Sequence, residues 1–257
     1  MASKDCWGRF VWHDLMTTDV DAALAFYTGL FPEWTVTAMK MEGGFTYRMI
    51  NSGGLDSGGI VPLESGGEIP SHWISYIAVE DCDAAVQAIE DRGGTCCIPA
   101  VDMPDVGRFA VMKDPQGALI KPFQLAFPVD LPEHPAVGQF CWDELATSDR
   151  EAAKTLYAEV FGWEASDVDM DEQGVYTLFK LGDMDFAGAM DLPPDSKAPP
   201  HWTPYLSVDD ADARAAMVEE LGGKIYVPPK DIPNIGRFSV QADPNGAVFS
   251  MIASSKK

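Results

Sequence analysis

The chain contains the same sequence unit twice, and this repeat limits the folds that it can adopt. The stretch FVWHDLMTTDVDAALAFYTGLF, which begins at position 10, returns in similar form at position 140 as FCWDELATSDREAAKTLYAEVF. Trp12 and Trp142 are 130 positions apart, and after one deletion the offset becomes 129, so that His72 matches His201. A period this long indicates a duplicated domain rather than a solenoid, whose repeats are shorter.

The repeat predicts two domains joined by a short linker. We expect the domains to span 1–127 and 136–257, with the linker at 128–135, because the stretch FPVDLPEHPAVG carries three prolines. The chain has 257 residues, of which 46% are hydrophobic, and this is enough for two domains of ordinary size.

Each half carries the pattern of a βαβββ unit twice, which makes four such units in the chain. In the first half the patterns predict, in order, a strand at 8–17, a helix at 20–30, strands near 34–41, 45–51 and 58–63, a strand at 73–79, a helix at 82–92, and strands near 95–101, 108–113 and 118–124. Asp19 and Asp81 stand where helix N-caps are expected, and Gly93 with Gly94 marks a helix end. The stretches DPQG and DPNG predict tight turns, because proline presets φ and glycine tolerates positive φ.

The charge of the chain argues against several classes of partner. There are 40 acidic residues against 18 basic ones, which gives a net charge of −22. Such a field repels nucleic acids and anionic membrane surfaces, so we expect neither as a partner. We find no apolar run of membrane-spanning length and no signal-peptide core in MASKDCWGRF, and we therefore expect a cytoplasmic protein.

The cysteines indicate neither a disulfide framework nor a zinc site. Their number is odd and none of them forms a C-x-x-C motif. We interpret Cys6, Cys82, Cys96, Cys97 and Cys141 as packing residues.

Several motifs carry a resemblance to a known family. TTDVDAALAFY is followed by F-x-x-W, GRFAVMKDPQGALI stands near the end of the first half, and HW-x-x-Y occurs in both halves. With the tandem βαβββ units, these motifs resemble the vicinal-oxygen-chelate superfamily, which includes glyoxalase I, extradiol dioxygenases, fosfomycin-resistance enzymes and bleomycin-binding proteins. More narrowly, they resemble its two-domain glyoxalase-like branch. The resemblance implies an α+β fold in which the four units form two homologous glyoxalase-like domains with cup-shaped mixed sheets, and it implies little about chemistry.

The resemblance also implies where a divalent metal ion would be bound. Family ligands lie on inward-facing strand positions, and the corresponding residues here are Trp12, Ile74 and Lys121 in the first half and Trp142, Thr203 and Ser250 in the second. None is a usual ligand except, weakly, Ser250 and Thr203, and the ammonium group of Lys121 repels a cation. We therefore expect no metal cofactor. The alternative is one divalent cation held by displaced ligands such as His13, Glu144 or His201.

Each half places one carboxylate in an apolar strand. If Trp12 and Trp142 face into the sheet-lined cups, then Asp14 and Glu144, two residues further on, face the same way. A buried carboxylate is paired, protonated or functional. Asp14 and Lys121 form a possible ion pair, so these acids could be structural or could mark a site. Glu144 has no matching lysine and is the better candidate for a general base.

Other repeated residues allow both a structural and a functional interpretation. His72 and His201 are metal ligands or, as we favour, anchors of the loop before a strand. Aromatic side chains that could line a ligand cup, or simply fill the core, are Trp73, Tyr76, Trp202 and Tyr205. Arg108 and Arg237 could hold an anionic ligand, although pairing with a nearby acid is favoured in so acidic a chain.

These observations lead to three hypotheses about function. The first is a glyoxalase-like protein that binds or transforms a small organic molecule without the family metal. If it is catalytic, Glu144 or Asp14 would move a proton next to a carbonyl group. The second is a non-catalytic protein that sequesters a toxic compound, and the third is a metal-dependent lyase or dioxygenase with displaced ligands. The expected partner is a small-molecule ligand, and the chain is either a monomeric pseudo-dimer or a homodimer.

Overall fold

The computed structural model describes residues 6–41, 44–64, 69–127, 129, 131–170 and 174–255. In the first half these residues form β1 (Phe10–Thr17), α1 (Val20–Leu30), β2 (Trp34–Lys40), β3 (Thr46–Ser52), β4 (Leu55–Pro62), β5 (His72–Ala78), α2 (Cys82–Glu90), β6 (Thr95–Met103), β7 (Gly107–Lys113) and β8 (Leu119–Leu125). In the second half they form β9 (Phe140–Thr147), α3 (Arg150–Phe161), β10 (Glu164–Asp169), β11 (Val175–Leu181), β12 (Met184–Asp191), β13 (His201–Ser207), α4 (Ala211–Glu220), β14 (Lys224–Ile232), β15 (Gly236–Ala242) and β16 (Val248–Ser254).

The predicted order of elements is confirmed in both halves. Each half contains two βαβββ units, and its eight strands form one mixed sheet. The strand order is β2-β3-β4-β1-β5-β8-β7-β6 in the first sheet and β10-β11-β12-β9-β13-β16-β15-β14 in the second. Strands β1 and β4 pair in parallel, as do β9 and β12, whereas the hairpins within each unit are antiparallel. The fold is therefore α+β with two homologous halves.

The helices begin where the sequence predicts. The carboxylate of Asp19 accepts a hydrogen bond from the amide of Ala22 at 3.0 Å, and that of Asp81 accepts one from Ala84 at 3.0 Å. Aspartates also cap α3 and α4. These caps satisfy amide groups that the first helical turn leaves without a partner.

The two Asp-Pro-x-Gly segments form the predicted tight turns. Asp114 Oδ1 accepts hydrogen bonds from three successive backbone amides, those of residues 116, 117 and 118. Gly117 has a φ of +110° and Gly246 a φ of +91°, which side-chain-bearing residues rarely adopt. Each turn thus depends on its aspartate and on its glycine.

The compact units of the structure do not follow the halves of the sequence. Unit 1 consists of 1–12, 74–132 and 142–202, and unit 2 of 13–73, 133–141 and 203–257. Each unit therefore combines a βαβββ unit from the first half with one from the second. The boundaries 1–127 and 136–257 describe the repeat in the sequence, and as domain boundaries they stay a prediction.

The core of unit 1 contains a chain of hydrogen bonds that joins the two halves of the sequence. The indole of Trp202 donates to the hydroxyl of Tyr157 at 2.8 Å, and this hydroxyl donates to Asp114 Oδ2 at 3.1 Å. Burial raises the pKa of Tyr157 well above its usual value, and it also raises the pKa of Asp114. The tyrosine is therefore a neutral donor.

Unit 2 contains the equivalent residues. The indole of Trp73 donates to the hydroxyl of Tyr27 at 2.9 Å, and burial together with the neighbouring carboxylate of Asp243 raises the pKa of this tyrosine. Tyr27 also packs against Phe249, so residues from both ends of the chain share one core.

The five cysteines are free thiols. Cys6 and Cys82 are buried, as expected of packing residues, whereas Cys97 is exposed, so its interpretation as a packing residue is wrong. Burial raises the pKa of Cys82 to about 12, which makes this thiol a poor nucleophile at neutral pH. No helix in the part of the chain that the structure describes is long and apolar enough to span a bilayer.

Candidate functional site

The two strand carboxylates lie beside glycines of the neighbouring strand. Asp14 on β1 is paired in register with Gly59 on β4, and Glu144 on β9 is paired with Gly188 on β12. Adjacent residues in register point to the same face of a sheet. A glycine beside each acid therefore leaves that face open above the neighbouring strand.

A tyrosine from the next strand fills each of these spaces. Tyr176 on β11 reaches over β12, and a methyl group added to Gly188 would lie 2.2 Å from its hydroxyl oxygen. The tyrosine hydroxyl donates a hydrogen bond to Glu144 Oε2 at 2.9 Å. In the first half the hydroxyl of Tyr47 donates to Asp14 Oδ1 at 2.8 Å. The structure thus contains the same tyrosine–glycine–carboxylate arrangement twice.

In the second half this arrangement extends to a tryptophan. The indole Nε1 of Trp142 donates to the hydroxyl of Tyr176 at 3.1 Å. Because this hydroxyl accepts from the indole, its own proton is directed towards Glu144. Burial and the charge of Glu144 raise the pKa of Tyr176 well above its usual value, so the phenol stays protonated. The chain Trp142–Tyr176–Glu144 therefore fixes the orientation of the carboxylate, and all three residues belong to unit 1.

The two acids differ in exposure. Asp14 is only 4% exposed, whereas Glu144 is half-buried. A carboxylate that exchanges protons with a ligand must be reachable by that ligand. Glu144 meets this requirement better than Asp14.

Lys121 lies in unit 1 with its ammonium group against aromatic rings. Its Nζ donates to the hydroxyl of Tyr76 at 2.7 Å and lies 4.3 Å from the centre of the same ring and 5.6 Å from that of Phe109. The side chain is 6% exposed, and these contacts are typical of a buried cation. Its pairing with Asp14 stays a prediction.

In unit 2 a serine takes the position that corresponds to Lys121. Ser250 is 1% exposed, and Tyr205 is its register partner on β13. The ring of Tyr205 lies 6.4 Å from that of Phe238. Around Ser250, unit 2 therefore combines aromatic rings with a small hydroxyl group, where unit 1 has the ammonium group of Lys121.

Of the four tryptophans predicted to line a ligand site, two are core residues. Trp73 and Trp202 are each 5% exposed and donate to the buried tyrosines described above. Both therefore pack in the core, and a contact of either with a ligand stays a prediction. Trp12 and Trp142 are half-buried, so a role in ligand binding remains a prediction for these two.

The repeated histidines anchor loops, as we favoured from the sequence. Nδ1 of His72 lies 2.8 Å from the carbonyl oxygen of Pro70, and Nδ1 of His201 lies 2.7 Å from that of Pro199. A carbonyl oxygen only accepts, so each ring donates from Nδ1. The third histidine considered as a displaced ligand, His13, stacks on Phe140 with ring centres 4.0 Å apart.

The two GRF arginines pair with acids of the chain, as predicted. Arg108 makes a bidentate contact with Asp83 on α2 and a further contact with Asp102. Arg237 is bonded in the same way to Asp212 and Asp231. Both guanidinium groups are thus occupied by carboxylates of the chain itself.

Four of the six residues at the implied metal positions do not fit a divalent cation, and the other two, Thr203 and Ser250, offer only hydroxyl oxygens, which are weak ligands. Trp12, Trp142 and Ile74 offer no lone pair suited to a metal ion, and Lys121 holds an ammonium group in place. Within the described ranges no group of three or more His, Cys, Asp and Glu side chains could hold a metal ion. These residues therefore do not form a metal site of the kind that the family resemblance implies.

Sequence reasoning missed Tyr47 and Tyr176 and their glycines. The signal was present, because Tyr47 and Tyr176 are 129 positions apart, as are Gly59 and Gly188. Both pairs keep the offset of the repeat. A glycine that recurs within a strand indicates that another group closely approaches the backbone at that position. The register that brings them to the carboxylates required the structure.

Comparisons with known proteins agree with this architecture. The model of the Glyoxalase/Bleomycin resistance protein/Dioxygenase superfamily matches residues 9–121 and 136–251. The protein CFP32 of Mycobacterium tuberculosis, named as a glyoxylase, is 37% identical over 243 residues, which cover 94% of this chain and 93% of that protein. The anthracycline biosynthesis protein DnrV of Streptomyces peucetius is 31% identical, with 95% and 93% covered.

Solved structures share the fold at low sequence identity. A Mn(II)-bound glyoxalase from Novosphingobium aromaticivorans has a TM-score of 0.66 at 16% identity, with 96% of this chain and 82% of that chain covered. A catechol 2,3-dioxygenase has a TM-score of 0.64 at 15% identity, with 97% and 89% covered. At such identities the likeness concerns the fold alone.

Proposed function

Because the chain belongs to the glyoxalase/bleomycin resistance protein/dioxygenase superfamily, we propose that it binds a small organic molecule and that Glu144 exchanges a proton with this ligand. The observation that carries the proposal is the chain Trp142–Tyr176–Glu144, in which a half-buried carboxylate is oriented by a neutral phenol. A positioned carboxylate of this kind is suited to general acid–base catalysis.

The proposed reaction is a proton transfer next to a carbonyl group, as in isomerase or lyase chemistry. The carboxylate of Glu144 removes a proton from a carbon next to the carbonyl, and the electron pair of the C–H bond passes to the carbonyl oxygen to give an enolate. In an isomerase the same carboxyl group returns the proton to another atom of this enolate, and in a lyase the electron pair instead expels a leaving group from the neighbouring carbon. Tyr176 keeps its own proton and holds Glu144 in place, since its pKa is raised. The other expected ligand contacts in unit 1 are Trp12, Trp142, Trp202, Tyr76 and Lys121. For a ligand bound in unit 2, they are Trp73, Tyr205 and Ser250.

We propose that the protein works without the family metal. Lys121 places a positive charge at one implied ligand position, and tryptophans stand at two others. Proton transfer by Glu144 needs no metal ion in the scheme above. We also propose that the protein works in the cytoplasm, either as a monomeric pseudo-dimer or as a homodimer.

Names of relatives suggest one class of ligand to try first. DnrV is named for anthracycline biosynthesis, so polycyclic aromatic ketones are reasonable first compounds. Half-buried indole groups such as those of Trp12 and Trp142 would stack on such rings.

Sequestration without turnover is the second candidate function. The net charge of −22 and the carboxylates on apolar strands favour a cationic aromatic compound. A sequestering protein would bind its ligand at a fixed stoichiometry and form no product.

A ligand screen with matched variants tests the proposal. Thermal unfolding would be followed with polycyclic ketones, 2-oxoaldehyde adducts and cationic aromatic drugs, and a ligand at 100 times its Kd should add about 2.7 kcal/mol of stability. Glu144→Gln should keep binding and lose product formation, whereas the matched variant Asp14→Asn should keep both. Equal product formation by the wild type and Glu144→Gln would reject the role of Glu144. Stoichiometric binding without product in the wild type would favour sequestration.

A further inference from the structure

Two polar side chains are buried on the core side of β15 in unit 2. Ser239 and Gln241 are both 0% exposed, and because they are two residues apart on one strand they point to the same face of the sheet. Strand pairing places Met251 beside the serine and Phe249 beside the glutamine, and both of these apolar residues are fully buried. Ser250 pairs with the intervening residue and so belongs to the opposite face.

These polar groups have no partner within the part of the chain that the structure describes. The hydroxyl of Ser239 and both amide atoms of Gln241 lack a hydrogen bond. The adjacent strand β14 has a register shift between Val227 and Lys230, and the two residues between them are prolines, which have no N–H to donate. Buried polar groups in native proteins are almost always satisfied by a protein group or by ordered water.

The first half of the chain shows that the fold does not require polar residues here. The corresponding residues on β7 are Ala110 and Met112, which are also 0% exposed. They lie in the apolar core of unit 1. The second half has therefore exchanged two apolar side chains for a hydroxyl group and an amide at equivalent buried positions.

We propose that Ser239 and Gln241 bind ordered internal water beside the bulge of β14. The amide of Gln241 requires both an acceptor for its NH₂ group and a donor for its oxygen. The hydroxyl group of Ser239 can either donate or accept a hydrogen bond. A water molecule donates and accepts, whereas a cation would coordinate only the oxygens and leave the NH₂ group without a partner. The chemistry of the two side chains thus favours water over an ion.

Replacing both residues with their first-half counterparts tests the proposal. The double variant S239A/Q241M copies the first-half residues, and ¹⁷O magnetic relaxation dispersion counts long-lived internal water molecules. We expect fewer such waters in the double variant than in the unaltered protein, with a Tm that is equal or higher. The control Ser254→Ala, at an exposed position on β16, should leave the count unchanged. An equal count in the double variant and the unaltered protein would overturn the proposal.

A crystal structure of the unaltered chain keeps the test decisive if the double variant does not fold. Water within hydrogen-bond distance of both Ser239 and Gln241 supports the proposal. An amide of Gln241 that is bonded only to protein groups overturns it.

Discussion

The hydroxyl of Tyr176 lies 2.9 Å from Oε2 of Glu144 and reaches it across β12, above the backbone of Gly188. Tyr47 approaches Asp14 in the same way in the first half. Each tyrosine can occupy its place only because the residue beneath it lacks a side chain. The orientation of the carboxylate therefore depends on a glycine of the neighbouring strand.

Substitution of Gly188 should disturb this arrangement. A methyl group in Gly188→Ala would lie 2.2 Å from the hydroxyl oxygen of Tyr176, so the ring must move and its bond to Glu144 should break. Overpacking of this kind costs about 1–3 kcal/mol, which urea unfolding would measure. In the double variant Gly188→Ala/Tyr176→Ala the loss of free energy of unfolding should be smaller than the sum of the losses in the two single variants. Additive losses would show that the two residues are independent.

Removal of the Tyr157 hydroxyl should destabilise unit 1. Tyr157→Phe takes a donor from Asp114 and an acceptor from the indole of Trp202, and both groups are buried. An unsatisfied buried group costs about 1–3 kcal/mol. Tyr226→Phe is the matched control, because Tyr226 is 51% exposed and should change the free energy of unfolding little. Equal effects of the two substitutions would contradict the hydrogen-bond chain.

Asp167 should contribute stability that depends on pH. The hydrogen bond from Thr177, followed by Lys154 and Arg150, lowers the pKa of Asp167 to about 2. Its contribution is present above its ordinary pKa of 3.8 and is lost as pH falls towards about 2. The free energy of unfolding of Asp167→Asn should therefore fall below that of the wild type at pH 7, and the difference should narrow in acid.

The size of this effect should be modest. The side chain of Asp167 is 38% exposed, so solvent screens its ion pairs. The difference should also shrink at high salt. If the difference in free energy of unfolding between Asp167→Asn and the wild type stays constant from pH 7 to pH 2, the lowered pKa of Asp167 is contradicted.

The two halves of the sequence should not fold independently. Each compact unit draws strands and a helix from both halves, so 1–132 or 133–257 alone lacks part of each core. We expect separately expressed halves to be poorly structured by circular dichroism and to form one complex when refolded together. Two halves that each unfold cooperatively as monomers would contradict the described units.

Local features of the fold were predictable from the sequence. The N-caps at Asp19 and Asp81 and the turn at Gly117 depend on residues close together in the chain, and the structure confirms them. Element bounds differ by a few residues at most, as in α2, which ends at Glu90 rather than at residue 92. Such differences are expected because helix ends fray.

Long-range relationships were not predictable. A repeat shows that two halves are homologous, but the grouping of Tyr27 with Phe249 in one core depends on contacts between the ends of the chain. The partner of Arg108 was also missed, because Asp83 is brought to it by the packing of α2 against β7. The approach of Tyr176 to Glu144 needs the register of three strands, which the sequence alone does not give.

The rate of product formation by metal-free protein tests the central claim most directly. Protein would be purified without a chelating tag, treated with a chelator and assayed on the first converted ligand, as wild type and as Glu144→Gln. We expect the metal-free wild type to keep its activity and Glu144→Gln to lose it while its affinity for the ligand is retained. Activity that disappears with the chelator and returns with one cation, or that persists in Glu144→Gln, would contradict it.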